Sequence, residues 1–368
     1  MRVTFPHMGN LWIALKALFE KLGHEVIPPP PITRKTVEFG VRYSPEFACL
    51  PLKVNVGNFI EGLDKGAETV VMLGGSGPCR FGYYAQVERE ILKDLGYQFK
   101  IIVIEPPMGD WASFLHNLQP LGNGCSWKEI WEALTLAWGK IIALDKIHRV
   151  LLKVQLYNHR DAWRCYEQAV KAINVTDEKK RLRETTVDFL RALSSFSKSR
   201  NRRCQSLRIA VVGEVFTMWE PYVNLNLEKV LGGMGVEVIR SVYLSDWICD
   251  NVLISPRHLL RRIKFKKAAR PYLNCFVGGH GWESVGDSII YARNNLADGV
   301  VHILPFTCTP EIVAQSILPA VSRDYRLPIL TLSLDEHSAQ AGFQTRIEAF
   351  VDLIREKKRR AVKSSMTC

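Results

Sequence analysis

The sequence lacks any apolar run of the ~18 residues that a membrane-spanning helix needs. It also lacks the layout of a secretory signal at its start, because Lys16, Glu20 and Lys21 interrupt the first apolar stretch. The proportions of hydrophobic residues (47%) and charged residues (23%) are ordinary for a globular protein and exclude disorder and collagen-like structure. We therefore expect a cytoplasmic protein with no membrane partner.

Short motifs of common nucleotide and hydrolase sites are missing as well. The sequence contains no GxxxxGKS or GxxxxGKT phosphate loop, no GxSxG turn and no HExxH pair. The stretch GGSGPCRFG at residues 74–82 is rich in glycine, yet it lacks the GxGxxG spacing of a dinucleotide site. These absences predict that the chain does not itself hydrolyse ATP.

Cysteines with the spacing of a compact metal motif are also absent. The nine cysteines are odd in number and none belongs to a CxxC pair. A disulfide framework is not expected in a cytosolic chain of this size. Any metal site must therefore be assembled from distant segments.

The charge is unbalanced, since 49 Lys and Arg residues against 37 Asp and Glu residues give a net charge of +12. Much of the excess lies in residues 179–203 and 355–363. Such a balance raises the question of nucleic acid or an acidic protein as partner. We favour solvated helix faces and a frayed basic tail, so nucleic acid is not an expected partner.

The order of strands and helices predicts an α/β fold with two doubly wound parallel-sheet domains joined by a helical segment. In the N-terminal α/β domain, 1–125, consecutive apolar residues such as those of 69–73 are typical of a buried parallel strand. The predicted strands of this domain are 1–6, 25–27, 69–73 and 100–104, and its helices are 11–22, 52–63 and 83–95.

A helical connecting segment is predicted over 126–205, because the stretch has no strand candidate and little Gly or Pro. A C-terminal α/β domain follows over 206–354, and a basic tail over 355–368. The predicted strands of this second domain are 207–212, 236–241, 299–304 and 328–332, and its helices are 223–234, 284–295, 310–317 and 345–357.

Three cysteines stand at or near predicted helix N-termini: Cys49, Cys79 and Cys308. A helix N-terminus stabilises negative charge and so favours a thiolate, which is the form that binds metals. Cys79 and Cys308 also follow predicted strands, and ligands of open α/β sheets gather at strand carboxyl ends. Three such thiolates are able to hold an iron–sulfur cluster with one iron left open.

The other cysteines have weaker contexts. Cys125 and Cys275 remain open as additional ligands. The rest are interpreted as ordinary small apolar residues: Cys165, Cys204, Cys249 and Cys368.

Four further residues are candidates for a second layer of the site or for substrate contact. Arg80 follows Cys79 directly and offers hydrogen bonds or charge to an anionic cluster, unless it serves an ion pair. His280 lies in GGHG after an expected strand, or is simply a turn histidine. Glu214 flanks the loop after the expected strand LRIAVV, where a capping role is equally reasonable. Glu311 stands at an expected helix start, where a carboxylate is favourable in any case.

At these cysteines the sequence resembles the 2-hydroxyacyl-CoA dehydratase activase-related family. That family is related to the 2-hydroxyglutaryl-CoA dehydratase cysteine-rich subunits and to double-cubane-cluster reductases. The similarity covers nearly all of the chain except the helical middle and the basic tail. Its stretches include ACLPLKVNVGN, GGSGPCRFGYYAQVEREIL, GGHGWESVGDSIIYA and VHILPFTCTPEIVAQSILPAVSRDY.

The resemblance implies two Rossmann-like domains with a cluster between them, held by Cys49, Cys79 and Cys308. It also implies low-potential electrons supplied by a separate ATP-dependent activator of actin-like fold, and it allows a homologous subunit as a further partner. A double-cubane cluster needs about six protein thiolates by this resemblance, so one [4Fe–4S] cluster is the simpler expectation.

Our leading hypothesis is an oxygen-sensitive iron–sulfur protein of an anaerobe. It passes electrons to a small molecule or an acyl-CoA, as a reductase or as a dehydratase component. The alternatives are a non-catalytic scaffold or regulatory partner that keeps the fold without a cluster, and a small-molecule binding module with a cleft between two α/β lobes.

Overall fold

The computed structural model of the protein describes residues 1–75, 79–105, 119–199, 206–252 and 256–366. The expectations for Cys204, Cys368, the turn residues 76–78 and the basic residues 200–203 therefore lie outside the described residues. The chain forms two compact units, each assembled from three stretches. Unit 1 comprises Met1–His148, Tyr166–Leu190 and Tyr243–Leu259, and unit 2 comprises Arg149–Cys165, Arg191–Val242 and Leu260–Cys368.

Unit 1 contains a sheet of four parallel strands in the order β2-β1-β3-β4. Its strands are β1 (Arg2–Thr4), β2 (Glu25–Val26), β3 (Thr69–Leu73) and β4 (Lys100–Ile104). The helices between them are α1 (Leu11–Lys21), α2 (Arg34–Tyr43), α3 (Leu50–Asp64) and α4 (Tyr84–Asp94).

Strand β3 explains why consecutive apolar residues predicted a buried strand. Neighbouring residues of a strand point to opposite faces of the sheet. Val70 packs in the apolar cluster that contains Phe59, whereas Val71 packs in the cluster that contains Phe5 and Phe19. Both faces of the strand are therefore covered, and the observed bounds of β3 and β4 confirm the predicted ones.

Three helices lie within the predicted connecting segment: α5 (Trp127–Val154), α6 (His159–Asn174) and α7 (Lys179–Ser195). Their residues are divided between unit 1 and unit 2. Residues 127–154 form one continuous helix, which decides between the one-helix and two-helix alternatives. Among the helices of the described ranges, none combines the length and the apolar character that crossing a membrane requires.

Unit 2 contains a second sheet of four parallel strands in the order β6-β5-β7-β8. The strands are β5 (Leu207–Gly213), β6 (Val236–Arg240), β7 (Gly299–Pro305) and β8 (Ile329–Leu334). The remaining helices of the chain are α8 (Val215–Trp219), α9 (Leu227–Gly233), α10 (Leu244–Asn251), α11 (Pro256–Ala269), α12 (Gly281–Arg293), α13 (Thr309–Asp324) and α14 (Gln340–Met366). Of these, α10 belongs to unit 1. The predicted α/β class with parallel sheets is confirmed.

Both sheets have the same strand order when each is counted from its own first strand. The first strand of each sheet lies between the second and the third, so the strand order reverses there. Ligands of open α/β sheets bind outside the carboxyl ends of the strands at such a reversal. The loops that follow β1 and β3 in unit 1, and those that follow β5 and β7 in unit 2, are therefore the places where a site is expected.

Two local predictions for unit 2 are wrong. The helix predicted over 223–234 begins only at Leu227, because Leu225 and Asn226 have φ angles of 55° and 57°, which no right-handed helix contains. The strand expected before His280 is also wrong, since residues 270–280 form turns and bends. Helix α11 precedes that loop and, like α2 and α10, was not predicted.

The end of the chain is more ordered than predicted. Helix α14 continues through most of the predicted basic tail and reaches Met366, whereas a helix over 345–357 followed by a frayed tail was expected. Arg360 Nε lies 2.8 Å from Glu356 Oε1, one turn earlier, and Arg355 Nη1 lies 3.2 Å from Asp352 Oδ1. Such pairs favour the helix, and no Gly or Pro interrupts it after Gly342.

Helices α2 and α3 touch backbone to backbone because glycines stand at their contact. A Cβ atom added to Gly57 would lie 1.8 Å from the Thr36 carbonyl oxygen. A Cβ atom added to Gly40 would lie 1.7 Å from the Lys53 carbonyl oxygen. This contact fixes α3, and with it the start of the helix that carries Cys49.

We expect Gly57→Ala to destabilise unit 1 by about 1–3 kcal/mol, because the backbone of α2 would have to move away from the new methyl group. Gly342→Ala is the matched control, since Gly342 also lies in a helix and nothing stands within 4 Å of its added Cβ. Helix propensity alone predicts that both changes stabilise by about 0.5–1 kcal/mol. Urea unfolding measures both, and stabilisation by both would contradict the close contact.

Glu88 of α4 is a fully buried carboxyl group in the core of unit 1. Burial raises the pKa of Glu88 to about 8, and this rise is opposed only in part by Asn55. At neutral pH the folded protein therefore keeps Glu88 protonated, whereas an unfolded chain ionises it. Folding takes up a proton between the two pKa values, so stability falls as the pH rises through that window.

We expect Glu88→Gln to remove this loss of stability. In the wild type the contribution of Glu88 to the free energy of unfolding falls by about 1.4 kcal/mol per pH unit between the pKa values of the unfolded and folded states. Urea midpoints at about pH 5.5 and about pH 7.5 should therefore differ less in Glu88→Gln than in the wild type. Glu90→Gln, on the exposed side of the same helix, should leave the wild-type difference unchanged.

Candidate functional site

Three cysteines occupy the N-cap positions of helices, as the sequence predicted. Cys49 caps α3, Cys308 caps α13, and Cys79 caps a short 3₁₀ helix (Arg80–Tyr83) that leads into α4. None of the three thiols accepts a capping hydrogen bond from its own helix. The N-terminal field of each helix therefore acts on a sulfur atom that is not engaged in capping.

The N-cap residues stand at corresponding points in the strand and helix order of the two units. Cys79 follows β3 and Cys308 follows β7, which are the third strands of their sheets. The helix that precedes the third strand is capped by Cys49 in unit 1 and by His280 in unit 2. Cys49 precedes Cys79 by 30 residues, and His280 precedes Cys308 by 28. His280 is thus the counterpart of Cys49.

Unit 1 holds its two cysteine segments together through side chains. The Tyr84 hydroxyl is hydrogen-bonded to the Cys49 thiol. The Arg80 guanidinium, next to Cys79, donates to the Phe47 carbonyl oxygen over 3.2 Å. Arg80 is exposed and joins the segment of Cys79 to that of Cys49.

Unit 2 brings its corresponding segments into direct contact through glycines. A Cβ atom added to Gly281 would lie 2.7 Å from the Pro310 carbonyl oxygen, and one added to Gly279 would lie 3.0 Å from Pro310 Cγ. The loop of His280 therefore packs on the first turn of α13, directly after Cys308. Larger residues at either glycine would separate the two helix starts.

Glu311 lies in that first turn and is fully buried. Its Oε2 accepts a hydrogen bond from the Ser284 hydroxyl over 2.8 Å and lies 2.8 Å from His302 Nε2. Its Oε1 is buried as well and has no hydrogen-bond partner among the described residues. The predicted helix-start carboxylate therefore points into the core of unit 2.

Sequence reasoning missed His302 and Ser284. The signal for His302 was present, because it is the one polar side chain in the otherwise apolar strand sequence VVHIL. Its Nδ1 lies 3.4 Å from the hydroxyl of Thr331 on the neighbouring strand. A histidine inside a central strand needs partners on both ring nitrogens, and these are the partners it has.

His280 is half-buried in the loop before α12. Burial lowers the pKa of His280 to about 4; the Glu311 carboxylate opposes this shift and Arg261 adds to it. At neutral pH its imidazole is therefore uncharged and one ring nitrogen is an acceptor.

The charge of Glu311 contributes to a raised pKa at two more carboxyl groups. Glu214 caps α8 and accepts hydrogen bonds from the amides of Phe216 (2.9 Å) and Thr217 (2.8 Å), so its capping role is observed. Burial nevertheless raises the pKa of Glu214, and the charge of Glu311 raises it too. Burial, with the charges of Asp287 and Glu311, raises the pKa of Glu283 to about 8.

The two additional cysteine candidates lie in different surroundings. Cys125 Sγ donates to the Leu22 carbonyl oxygen over 3.6 Å. Leu22 precedes β2, so Cys125 lies at the amino edge of the sheet, opposite the edge where Cys79 follows β3. Cys275 is exposed in the loop before His280. Burial raises the pKa of the thiols of Cys165 and Cys249, as expected of structural cysteines.

The chemistry of the N-cap cysteines fits a thiolate-bound cluster. Iron–sulfur clusters are held by cysteine thiolates, and helix N-termini stabilise negative charge. The described cysteines are thiols, not disulfides. Within the described ranges, no three His, Cys, Asp or Glu side chains form a group that could hold a metal ion.

Comparison with known proteins adds no assignment to this geometry. Neither the protein-family models nor the curated proteins compared with the chain gave a match.

Proposed function

We propose that the protein is an iron–sulfur electron carrier or reductase whose cluster ligands are Cys49, Cys79 and Cys308. The observation that carries this proposal is the repeated placement of a thiol at a helix N-cap directly after the third parallel strand of each sheet. Open α/β sheets bind their cofactors at the carboxyl ends of the strands, next to the point where the strand order reverses.

Within unit 1, Cys49 and Cys79 are the best supported pair. Their helix starts contain no acidic residue in the first turn, so the N-terminal field on each sulfur is not cancelled locally. The hydrogen bond from Arg80 to the Phe47 carbonyl and the contact of Tyr84 with Cys49 fix the two segments relative to each other. When bound, a [4Fe–4S] cluster supplies one-electron transfer at low potential.

The source of low-potential electrons is proposed to be a separate ATP-dependent activator. The resemblance to the dehydratase activase-related family is what supports this partner, and the lack of a nucleotide-triphosphate motif in the sequence is consistent with it. The acceptor is proposed to be a small molecule or an acyl-CoA, which makes the protein a reductase or a dehydratase component.

We expect the anaerobically purified wild type to contain about four irons and about four sulfides per chain if it binds one [4Fe–4S] cluster. Cys49→Ala, Cys79→Ala and Cys308→Ala should each lower that content sharply, because each removes a thiolate ligand. Cys165→Ala is the matched control, since it removes a thiol that is buried as deeply as Cys308. Iron and acid-labile sulfide analysis measures all four variants.

Equal iron content in the wild type and the three ligand variants would overturn the assignment. A wild type without iron even after reconstitution would favour the scaffold or regulatory role. Circular dichroism of each variant distinguishes loss of the cluster from loss of the fold.

Tyr84→Phe tests whether Cys49 is a ligand without removing a thiol. Once Cys49 is a thiolate, the Tyr84 hydroxyl can only donate to it, and hydrogen bonds to ligand sulfurs help set cluster potential. We expect Tyr84→Phe to keep its iron and to show a lower midpoint potential in an EPR-monitored titration. Tyr83→Phe, whose side chain is exposed, should titrate like the wild type. An unchanged potential in Tyr84→Phe would remove Cys49 from the ligand set.

A further inference from the structure

Helix α11 lies in a stretch of the chain that has many positive charges and no negative ones. Residues 251–282 contain no Asp or Glu. The Lys and Arg residues of this stretch all stand in α11 or directly after it: Arg257, Arg261, Arg262, Lys264, Lys266, Lys267 and Arg270. The positive excess of the chain is therefore concentrated here as well as in residues 179–203 and 355–363, and it attracts acidic surfaces.

One side of α11 is packed against unit 2, to which the helix belongs from residue 260 onward. Phe265 and Ala269 are buried, and Ala269 is part of an apolar cluster with residues of α12 and α13. A Cβ atom added to Gly286 of α12 would lie 2.4 Å from the Phe265 carbonyl oxygen, so the two helix backbones touch. These contacts fix α11, so its other side is formed before any partner arrives.

The outer side of α11 combines exposed apolar and cationic side chains. Leu260, Ile263, Lys264 and Lys267 follow the i, i+3, i+4, i+7 spacing that places side chains along one stripe of a helix. Leu260 is 61% exposed, Ile263 is 52% exposed, and both lysines are exposed as well. Arg261 is not part of this stripe, since it donates to a carboxylate of α12. We call the four residues of the stripe the α11 face.

Aromatic side chains extend the apolar area next to the α11 face. Lys266 Nζ lies 4.7 Å from the ring centroid of Trp282. The ring of Trp282 lies 5.4 Å, centroid to centroid, from that of Phe276, which is 57% exposed. Lys266 follows Ile263 by one helical turn, so direct contacts connect the exposed Phe276 to α11. Exposed apolar side chains grouped in this way are typical of an interaction surface.

We propose that the α11 face docks an acidic protein, one whose surface places carboxylates beside an apolar patch. Leu260 and Ile263 supply the apolar centre of the contact, and Lys264 and Lys267 supply its cations. Protein interfaces join an apolar centre to a polar rim in the same way. Since residues 251–282 contain no Asp or Glu, no carboxylate of this segment repels those of the partner. The proposal goes beyond the cluster function and does not depend on it.

Two other classes of anionic partner fit the α11 face less well. A helix that lies in a membrane surface buries a continuous apolar face in the lipid. The side of α11 with Phe265 and Ala269 is already packed in unit 2, and the aliphatic side chains that stay exposed stand among lysines. Nucleic acid is bound through its phosphates, to which Leu260 and Ile263 contribute nothing. A protein surface is the partner that uses both the apolar and the cationic part of the α11 face.

The test is fluorescence anisotropy of a labelled helical peptide that is titrated with the full chain. The peptide is about 20 residues long, with leucines on one side of the helix and glutamates on the other. Two control peptides carry lysine at each glutamate position or serine at each leucine position. We expect the leucine–glutamate peptide to bind more tightly than both controls. Its affinity should fall between about 50 mM and about 300 mM salt, because salt screens the charges.

Charge-reversal variants locate the binding surface. The double variant with Lys264→Glu and Lys267→Glu should weaken binding of the leucine–glutamate peptide by about tenfold, because two attractions become repulsions. The double variant with Lys179→Glu and Lys180→Glu is the matched control. It changes the net charge by the same amount at the exposed start of α7, and its affinity should stay close to that of the wild type.

A second pair of variants tests the apolar part of the α11 face. The double variant with Leu260→Ala and Ile263→Ala should weaken binding by about fivefold, because less apolar area is buried against the peptide. Leu353→Ala on α14 removes a leucine that is 55% exposed and should bind like the wild type. Circular dichroism of each variant shows whether the fold is kept.

Unchanged affinity in both double variants of the α11 face would overturn the proposal, and so would equal binding of the three peptides. Phosphatidylglycerol vesicles and a single-stranded oligonucleotide are tested in parallel. If the charge-reversal variant of α11 loses binding to either of them but keeps binding to the peptide, the α11 face serves lipid or nucleic acid and the proposal is wrong.

Discussion

Parallel pairing of the strands is the constraint on which the rest of the structure depends. In a parallel sheet every strand ends at the same edge, and the helix that follows begins there. Unit 1 and unit 2 each apply this rule to four strands in one order. The edge therefore collects helix N-termini, which stabilise charge, and loops, which are free to carry reactive side chains. The N-cap cysteines and the buried Glu311 are both consequences of that edge.

Burial is the second constraint, and it acts on the carboxyl groups of both units. Both units keep carboxyl groups where apolar residues would cost less, namely Glu88 in unit 1 and Glu311 in unit 2. Glu88 keeps its proton at neutral pH, whereas Glu311 is hydrogen-bonded to Ser284 and His302. A protein does not keep such groups for stability alone, because well-packed apolar residues of similar volume serve that purpose at least as well.

The sequence predicted the elements whose signal is local and missed those whose signal is not. Strand β3 was predicted with its observed bounds because burial on both faces leaves a run of apolar residues. The start of α9 was missed because the left-handed backbone of Leu225 and Asn226 is set by tertiary context. The N-cap cysteines were found from neighbouring strands and helices, but the partnership of Glu311 with His302 was not. That pair joins a strand to the turn after it, and no periodicity marks a hydrogen bond between side chains.

The two units share one strand topology but differ in the charge at their helix N-termini. In unit 1 the helices capped by Cys49 and Cys79 have no acidic residue in their first turn. In unit 2 the helices capped by His280 and Cys308 carry Glu283 and Glu311 there. A carboxylate in the first turn offsets the positive end of the helix, so the unit 2 edge attracts anions less than the unit 1 edge does. It follows that the field at the helix N-terminus favours a thiolate more strongly at Cys49 and Cys79 than at Cys308.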